Sequence, residues 1–527
     1  MDPDKLSVPE RALWQAFPCG ELVDLTRARG VRARTVRAEV IAALLLGAVP
    51  PEPGRIAAIR LDGARVTGAL SLGHAVITGP LRLRQCEFDA VIDLAGPKTR
   101  NIDLEGSKLV GLIAPLAEID GDLSLIECEC RGQIVLTGGR ITGALQMQRS
   151  RLEYPNGVAL LGNRLVVDGD LLAQKAIVNG QLRLAAGQIG GIVGLDGAAL
   201  RHEGHRAFNG SKLSVGAGLL ARFGFSAVGE FVLADASIGG EVDFRGASLS
   251  NPGGNALLAT GLSAGADIRL AEGFSADGAI RLTRARVGAE IRMDDVRVSN
   301  PGGNAIRCRY AQASALVLDS GPSVDGVVDL CYSQFTNIRD DPACWPEKLR
   351  FSGLSYDVLD PSLPAVQRVR WLQRDADGYL PRNYETLAAM YRRMGDDSGA
   401  RVVLLAKERE RRAQLPWYGR AWSWLQEITV GYGYRPLRAT AWLAAFLALG
   451  TLVFSLHHPP PFQATPHPAF NPFIYTVDLL VPLVDLGMRN SFDPQGPQRW
   501  LAYSLIAAGW IFVTTIAAGI LRVLRRQ

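Results

Sequence analysis

The chain has 527 residues, 48% apolar and 21% charged, with 57 Lys+Arg against 52 Asp+Glu. That length allows several domains of ~100 to 200 residues and a large core, and the near-balanced charge excludes both a disordered chain and a strongly basic nucleic-acid binder. Seven cysteines, at positions 19, 86, 128, 130, 308, 331 and 344, form an odd set that fits a reducing compartment, and the acidic first residues do not read as a secretory leader.

Residues 1–55 read as a helical cap, with helical patterning over 9–17 and 35–46 around a break at 20–25. From 56 to 340 an apolar anchor recurs at intervals of about eleven residues, as Leu70, Leu81, Ile92, Ile102, Ile113 and Leu123 and so on to Val328. A second apolar residue follows two positions later, as Leu72, Leu83, Leu94, Leu125 and Leu136 do, which is the period of a strand facing inward. Five positions after the anchor the residue is usually small (Ala75, Cys86, Cys128, Ala176), which suits a corner, and glycine is frequent nine after, where backbones are expected to approach closely. Each unit is thus two short strands, and two units of about 22 residues make one coil of a solenoid whose strands stack at about 4.8 Å, for roughly 11 coils in all. The pattern resembles the right-handed β-helices of pentapeptide-repeat proteins over about residues 56–336, so the fold class expected is mainly β.

Four steps of the rhythm are longer by four residues, at 154–157, 202–205, 251–254 and 300–303. They recur every two coils and are expected to stack as a ridge along one edge, with Tyr154, His202, His205, Asn251 and Asn300 as candidate contacts for a protein partner; ordinary turns are the alternative. After the solenoid, 341–415 reads as helical (364–374, 384–394 and 399–412), and Tyr384-Glu-Thr-Leu-Ala with Ala400-Arg-Val-Val resembles a single tetratricopeptide-like hairpin. Trp417, Tyr418, Trp422 and Trp424 make 416–437 an aromatic juxtamembrane segment.

Residues 438–527 read as a two-helix transmembrane domain, with uncharged apolar runs at 439–456 and 500–521, each long enough for a ~30 Å hydrocarbon core, and an outer loop at 457–499. Arg435 and Arg438 precede the first run and Arg522, Arg525 and Arg526 follow the second, whereas the loop holds only Arg489 and Arg499. The positive-inside rule then puts both termini and the solenoid on the cytoplasmic side of a bacterial inner membrane, with the lipid bilayer as a partner. Ala441, Ala445, Ala444, Ala448, Thr515 and Gly519 space small residues for close helix contacts and a homo-oligomer. Between the runs, 473–488 carries Asp478, Pro482 and Asp485 and reads as a re-entrant or interfacial segment. In an oligomer those two carboxylates could ring a cation path; otherwise they cap or anchor a turn. Thr429-Val430-Gly431-Tyr432-Gly433 spells a potassium filter but precedes the first run, where no filter can act.

Chemistry is sparse. No dinucleotide fingerprint, phosphate loop, metalloprotease motif or nucleophile elbow occurs, so no catalytic residue, cofactor or metal is assigned. Cys128 and Cys130 fall on core positions, while His202 and His205 with Glu203, and His457, His458 and His467, lack an identified further ligand. Asp93, Asp103, Asp243 and Asp329 lie between inward residues and are expected as solvated charges of the outer face.

Pro9-Glu-Arg-Ala-Leu-Trp-Gln-Ala-Phe, Tyr384-Glu-Thr-Leu, Leu415-Pro-Trp-Tyr-Gly-Arg, Gly431-Tyr-Gly-Tyr-Arg-Pro, Phe470-Asn-Pro-Phe-Ile-Tyr-Thr-Val-Asp and Ala508-Gly-Trp resemble bacterial, notably actinomycete, membrane proteins that join a pentapeptide-like β-helix to two C-terminal transmembrane helices. Some of these carry the label membrane-associated oxidoreductase, so the resemblance implies a redox activity, but it transfers no catalytic residue. The residues themselves favour a membrane-anchored scaffold or sensor, with an oligomeric pore as the alternative.

Overall fold

Short apolar alternations broken by a turn after every pair of inward residues can bury their side chains only by stacking on copies of themselves. The computed structural model describes residues 5–319, 321, 323–342, 347–420, 424, 436–462, 469–481 and 485–524, with side chains for all of these except 436–439 and 514–524. Cys344, Trp422, the 429–433 match, Arg435, His467, Pro482, Arg525 and Arg526 lie outside the described residues. By its contacts the chain divides into two compact units, Met1–Leu363 with Arg370–Asn383, and Pro364–Val369 with Tyr384–Gln527.

The first unit is a right-handed-type β-solenoid of about 13 turns. Among the described residues its strands form two sheets, of 22 and 18 strands, and every pairing in their ladders is parallel, as Leu70 to Ile92, Leu123 to Leu145 and Ile268 to Ile291 illustrate. The expected anchors fill the interior except Ile113, which stands in register with Asp93 while Leu112 takes the inward place beside Ile92 and Ile134. Five phenylalanines, Phe208, Phe225, Phe231, Phe244 and Phe274, pack in the interior with at most 1% exposure. Phe208 stacks on Phe231 with ring centroids 4.4 Å apart, and Phe231 meets Phe244 edge to face at 5.3 Å. Glycine sits where coils approach most closely. A Cβ on Gly216, Gly239, Gly265 or Gly288 would run into the carbonyl oxygen of the glycine one coil earlier.

Both ends of the ladder extend past the rhythm read from the sequence, hence more turns than the roughly 11 expected. Helix α1 (Val8–Ala16) starts at a capping box in which the Ser7 amide donates to Glu10 Oε2 at 2.8 Å. Helix α2 is Val31–Arg34, and the helix expected over 35–46 begins only at α3, Ala38–Leu45. Its first three residues are instead a strand, Thr35–Arg37, paired with Arg65–Thr67, while Val23–Asp24 pairs with Leu61–Asp62. An open sheet end demands backbone partners, and β-branched Thr35 and Val36 satisfy that demand better as strand than as helix. At the other end Lys348–Arg350 and Ser355–Asp360 continue the two sheets beyond residue 340.

Then come helices α4 (Ala365–Leu372), α5 (Pro381–Arg393) and α6 (Asp397–Ala413). In the second unit Lys407 Nζ lies 2.5 Å from Glu385 Oε1, tying the middle of α6 to the first half of α5. Helices α7 (Pro436–Leu456) and α9 (Pro497–Leu524) coincide with the two apolar runs and flank a short α8 (Pro472–Leu480). Among the described residues no helix is long and apolar enough to cross a membrane, the described side chains of α7 and α9 being those of 440–456 and 497–513. Helix α8 buries Tyr475, Leu479 and Leu480 with Phe454 of α7 and Leu505 of α9 in one apolar cluster. A Cβ on Gly450 would strike Thr476, and one on Gly509 would strike the Leu480 carbonyl, so each long helix is notched where α8 seats.

Candidate functional site

The four-residue insertions lie inside four strands of identical length, Arg151–Leu161, Ala199–Asn209, Ser248–Leu258 and Arg297–Arg307, all in the 18-stranded sheet. Between them run plain seven-residue strands, Ile177–Arg183, Ser226–Val232 and Ser275–Arg281, whose register jumps where the longer strand bulges outward. The insertions therefore stand on alternate coils of one edge, about 10 Å apart, two strand spacings.

Each loop closes on itself. The Asn251 and Asn300 side-chain amides each donate to the carbonyl four residues on, of Asn255 and Asn304, at 2.8 Å, and His202 Nδ1 lies 3.0 Å from the Arg206 carbonyl oxygen. Tyr154, at the matching position, is exposed, and its ring lies over Gly157. His205 adds an imidazole 4.8 Å from that of His202. Beneath the loops a glycine recurs with backbone in the left-handed half of φ: Gly229, Gly278 and Gly326, at φ +113°, +124° and +131°, where a Cβ would come within 2.5 to 2.8 Å of the His202, Asn251 and Asn300 carbonyl oxygens.

Grooves open between the loops. The first, of about 670 Å³, is lined by Glu153, Asn156, Asn179, Arg201, His202 and Glu203 among others. The second, of about 500 Å³, has Gln181, Arg206, Glu230, Asn251 and Asn255 in its walls and floor. Its polar groups are pre-positioned: Asn255 Nδ2 donates to Glu230 Oε1 at 2.9 Å, Arg206 Nε to Glu230 Oε2 at 3.2 Å, and in the first groove Asn179 Nδ2 donates to Glu153 Oε2 at 2.8 Å. The floor residues Asn179, Gln181 and Glu230 escaped the sequence reading because they sit on plain coils; counting one coil onward from Glu153, Val158 and Arg206, whose register partners they are, would have found them.

Other candidates separate from this edge. Asp478 is buried at 3% exposure and its carboxylate accepts from the amides of Leu486, at 2.8 Å, and Arg489, at 2.7 Å; Asp485 accepts from the Gly487 amide at 2.9 Å. Both carboxylates are thus engaged in turns. Asp243 and Asp329, expected as solvated charges, are instead 0% and 1% exposed. Asp243 points outward as read, but Arg245 closes over it with Nη2 2.8 Å from Oδ2, Arg222 stands at 3.9 Å, and both guanidiniums cover Phe223. Arg307 Nε lies 3.5 Å from Asp329 Oδ2.

Cys128 and Cys130 are wholly buried, and burial pushes the thiols of Cys86, Cys128, Cys308 and Cys331 up to about 12, far from a reactive thiolate. Among the described residues no group of three or more His, Cys, Asp or Glu is placed to hold a metal ion. Comparison with known protein families, with curated proteins and with solved structures finds no match, and the redox activity implied by the resemblance gains no support from it.

Proposed function

We propose that the chain is a non-catalytic scaffold: its solenoid holds a ridge of four loops at fixed spacing for a protein partner, and the uncharged runs at 439–456 and 500–521 tether it to a lipid bilayer. The observation that carries the reading is the stacking of four equal insertions on alternate coils of one sheet, with polar grooves between them. A gap of about 10 Å with a hydrogen-bonding floor suits one extended segment of a partner. The parallel ladder beneath fixes the spacing, so little order has to be imposed on binding. The tether is supported by the composition of the two runs, and the cytoplasmic side by the arginines at their ends.

Photo-crosslinking residues placed at Asn156 and Glu203, in living cells, test the ridge against Lys175 and Lys212, which are exposed at turns between strands outside the loops. The expected result is one adduct of the same mass from both loop positions and none from the two lysine positions. Equal labelling from all four, or none from the loops, sinks the reading.

A further inference from the structure

We infer that the end of α6, with Arg420 and Trp424, forms a binding site for the phosphate of an anionic phospholipid. The site rests on the bilayer tether proposed above and adds a ligand to it. Arg409, Arg412 and Arg420, with Ala413 and Trp424, line a cavity of about 560 Å³. Arg409 and Arg412 are three residues apart and so share one helix face. Arg420 is fixed against the end of the same helix, its Nε donating to the Leu415 carbonyl at 2.8 Å and Nη2 to the Ala413 carbonyl at 3.2 Å. Neighbouring Arg411 is directed to Glu408, 3.6 Å away, and is not part of the lining. Three arginines lining one cavity bring guanidinium charge and N–H donors to a phosphate group seated there.

The aromatic residues choose the source of that phosphate. Trp417, Tyr418 and Trp424 are 80%, 65% and 60% exposed, and the Trp417 and Tyr418 rings meet edge to face at 6.0 Å. Large amphipathic rings left open to solvent beside arginines match the headgroup level of a bilayer, where ring bodies enter the apolar boundary and guanidiniums meet lipid phosphates. A free phosphate ion would have no use for them.

The full chain, purified in detergent, is titrated with phosphatidylglycerol and separately with phosphatidylcholine, and bound lipid is counted by native mass spectrometry. Phosphatidylglycerol is expected to bind more tightly. Arg409→Gln should weaken it by about fivefold, and Arg409→Gln with Arg412→Gln and Arg420→Gln by about fivefold for each arginine removed. Arg401→Gln, on the same helix outside the cavity, should leave it unchanged, and excess inorganic phosphate should not displace the lipid. Equal binding of the two lipids, an unchanged affinity in the triple variant, or displacement by inorganic phosphate overturns the site. Carbonate extraction of membranes from expressing cells reads the tether independently. Protein released by carbonate overturns the tether while a phosphatidylglycerol preference still upholds the site; protein retained without that preference overturns the site alone.

Discussion

The solenoid and the C-terminal helices both use glycine to let backbones approach, but at different multiplicity. In the solenoid the contact repeats coil after coil, from Gly190 through Gly216, Gly239 and Gly265 to Gly288, whereas among the described residues the helices have one notch each, Gly450 and Gly509, for the single helix α8. A contact repeated along a ladder spreads any damage over nearest neighbours, because each coil touches only the coils beside it. A contact made once carries the whole arrangement. The molecule thus joins a redundant region to a non-redundant one, and substitutions should differ more in how far their effects reach than in their local energy.

The largest expected effect lies where redundancy ends, at the first coil. Glu10, 2% exposed, accepts from its capping partner Ser7 and from Arg37, whose Nε stands 2.8 Å from Oε1. Glu10→Ala removes at once the acceptor of the Ser7 amide and of the Arg37 guanidinium, whose side chain is itself 43% exposed, and should cost about 3 kcal/mol. Native-state hydrogen exchange should show lost protection over residues 35–67 with the central coils unchanged; loss throughout would mean that the coils are not independent. Burial raises the Glu10 carboxyl, but the hydrogen bonds from Arg37 and Ser7 outweigh it and hold the group down at about 2, from an ordinary 4.5. The pKa is depressed on folding, so its stabilisation is complete above pH 4.5 and is lost as the pH falls towards 2, in all about 3 kcal/mol. Acid titration of the same exchange signal should therefore open the first coil in the wild type, and Glu10→Gln should remove that pH dependence.

Next come the two glycine systems themselves. Gly239→Ala and Gly509→Ala each push a methyl group into a carbonyl oxygen, of Gly216 and Leu480 respectively, and each should cost about 2–3 kcal/mol. Their reach should differ. Gly239→Ala should expose amides of the adjacent coils only, while Gly509→Ala should expose α8 and the turn that Asp478 anchors together. Equal reach in the two would end the comparison.

Asp243→Asn should cost less, about 2 kcal/mol, because the isosteric amide keeps one oxygen to accept from Arg245, and Arg245 and Arg222 retain some contact with water. Chemical denaturation of the Asp243→Asn and Arg245→Met single and double variants gives the pair energy, and additive costs would show that the two do not interact.

The eleven-residue rhythm, the inward residues and the shared edge of the four insertions were legible because each is a pattern of polarity or spacing. The corners were not. Residues as unlike as Gln85, Lys175, Phe223 and Tyr332 all adopt φ between 51° and 60°, a strained region that no side-chain type announces. What compensates is the next coil: the Gln85 amide donates to the Glu105 carbonyl at 2.8 Å and the Lys175 amide to that of Asp196 at 2.9 Å. Burial of Asp243 was hidden for a similar reason, since its cover comes partly from Arg222 on the coil before. The grooves needed the same coil-to-coil register. Local sequence reads one coil, and these features belong to two.

The smallest expected effect is the sharpest test of the loops as additions to a self-sufficient ladder. Excising 251–254 should return Ser248–Leu258 to the plain seven-residue form of its neighbours, at a cost below about 1 kcal/mol, since loop length changes closure entropy only slowly. Gly278 then becomes informative. With the loop present, Gly278→Ala brings its Cβ to 2.5 Å from the Asn251 carbonyl oxygen at φ +124°, and should cost about 2 kcal/mol. With the loop gone, that oxygen is gone and the plain strand has no bulge to accommodate, so the same substitution should cost about 1 kcal/mol less. Thermal unfolding of the four proteins of this cycle yields the coupling directly. A coupling near zero would mean that the glycine serves the coil and not the loop, and that the ridge is built into the ladder instead of resting on it.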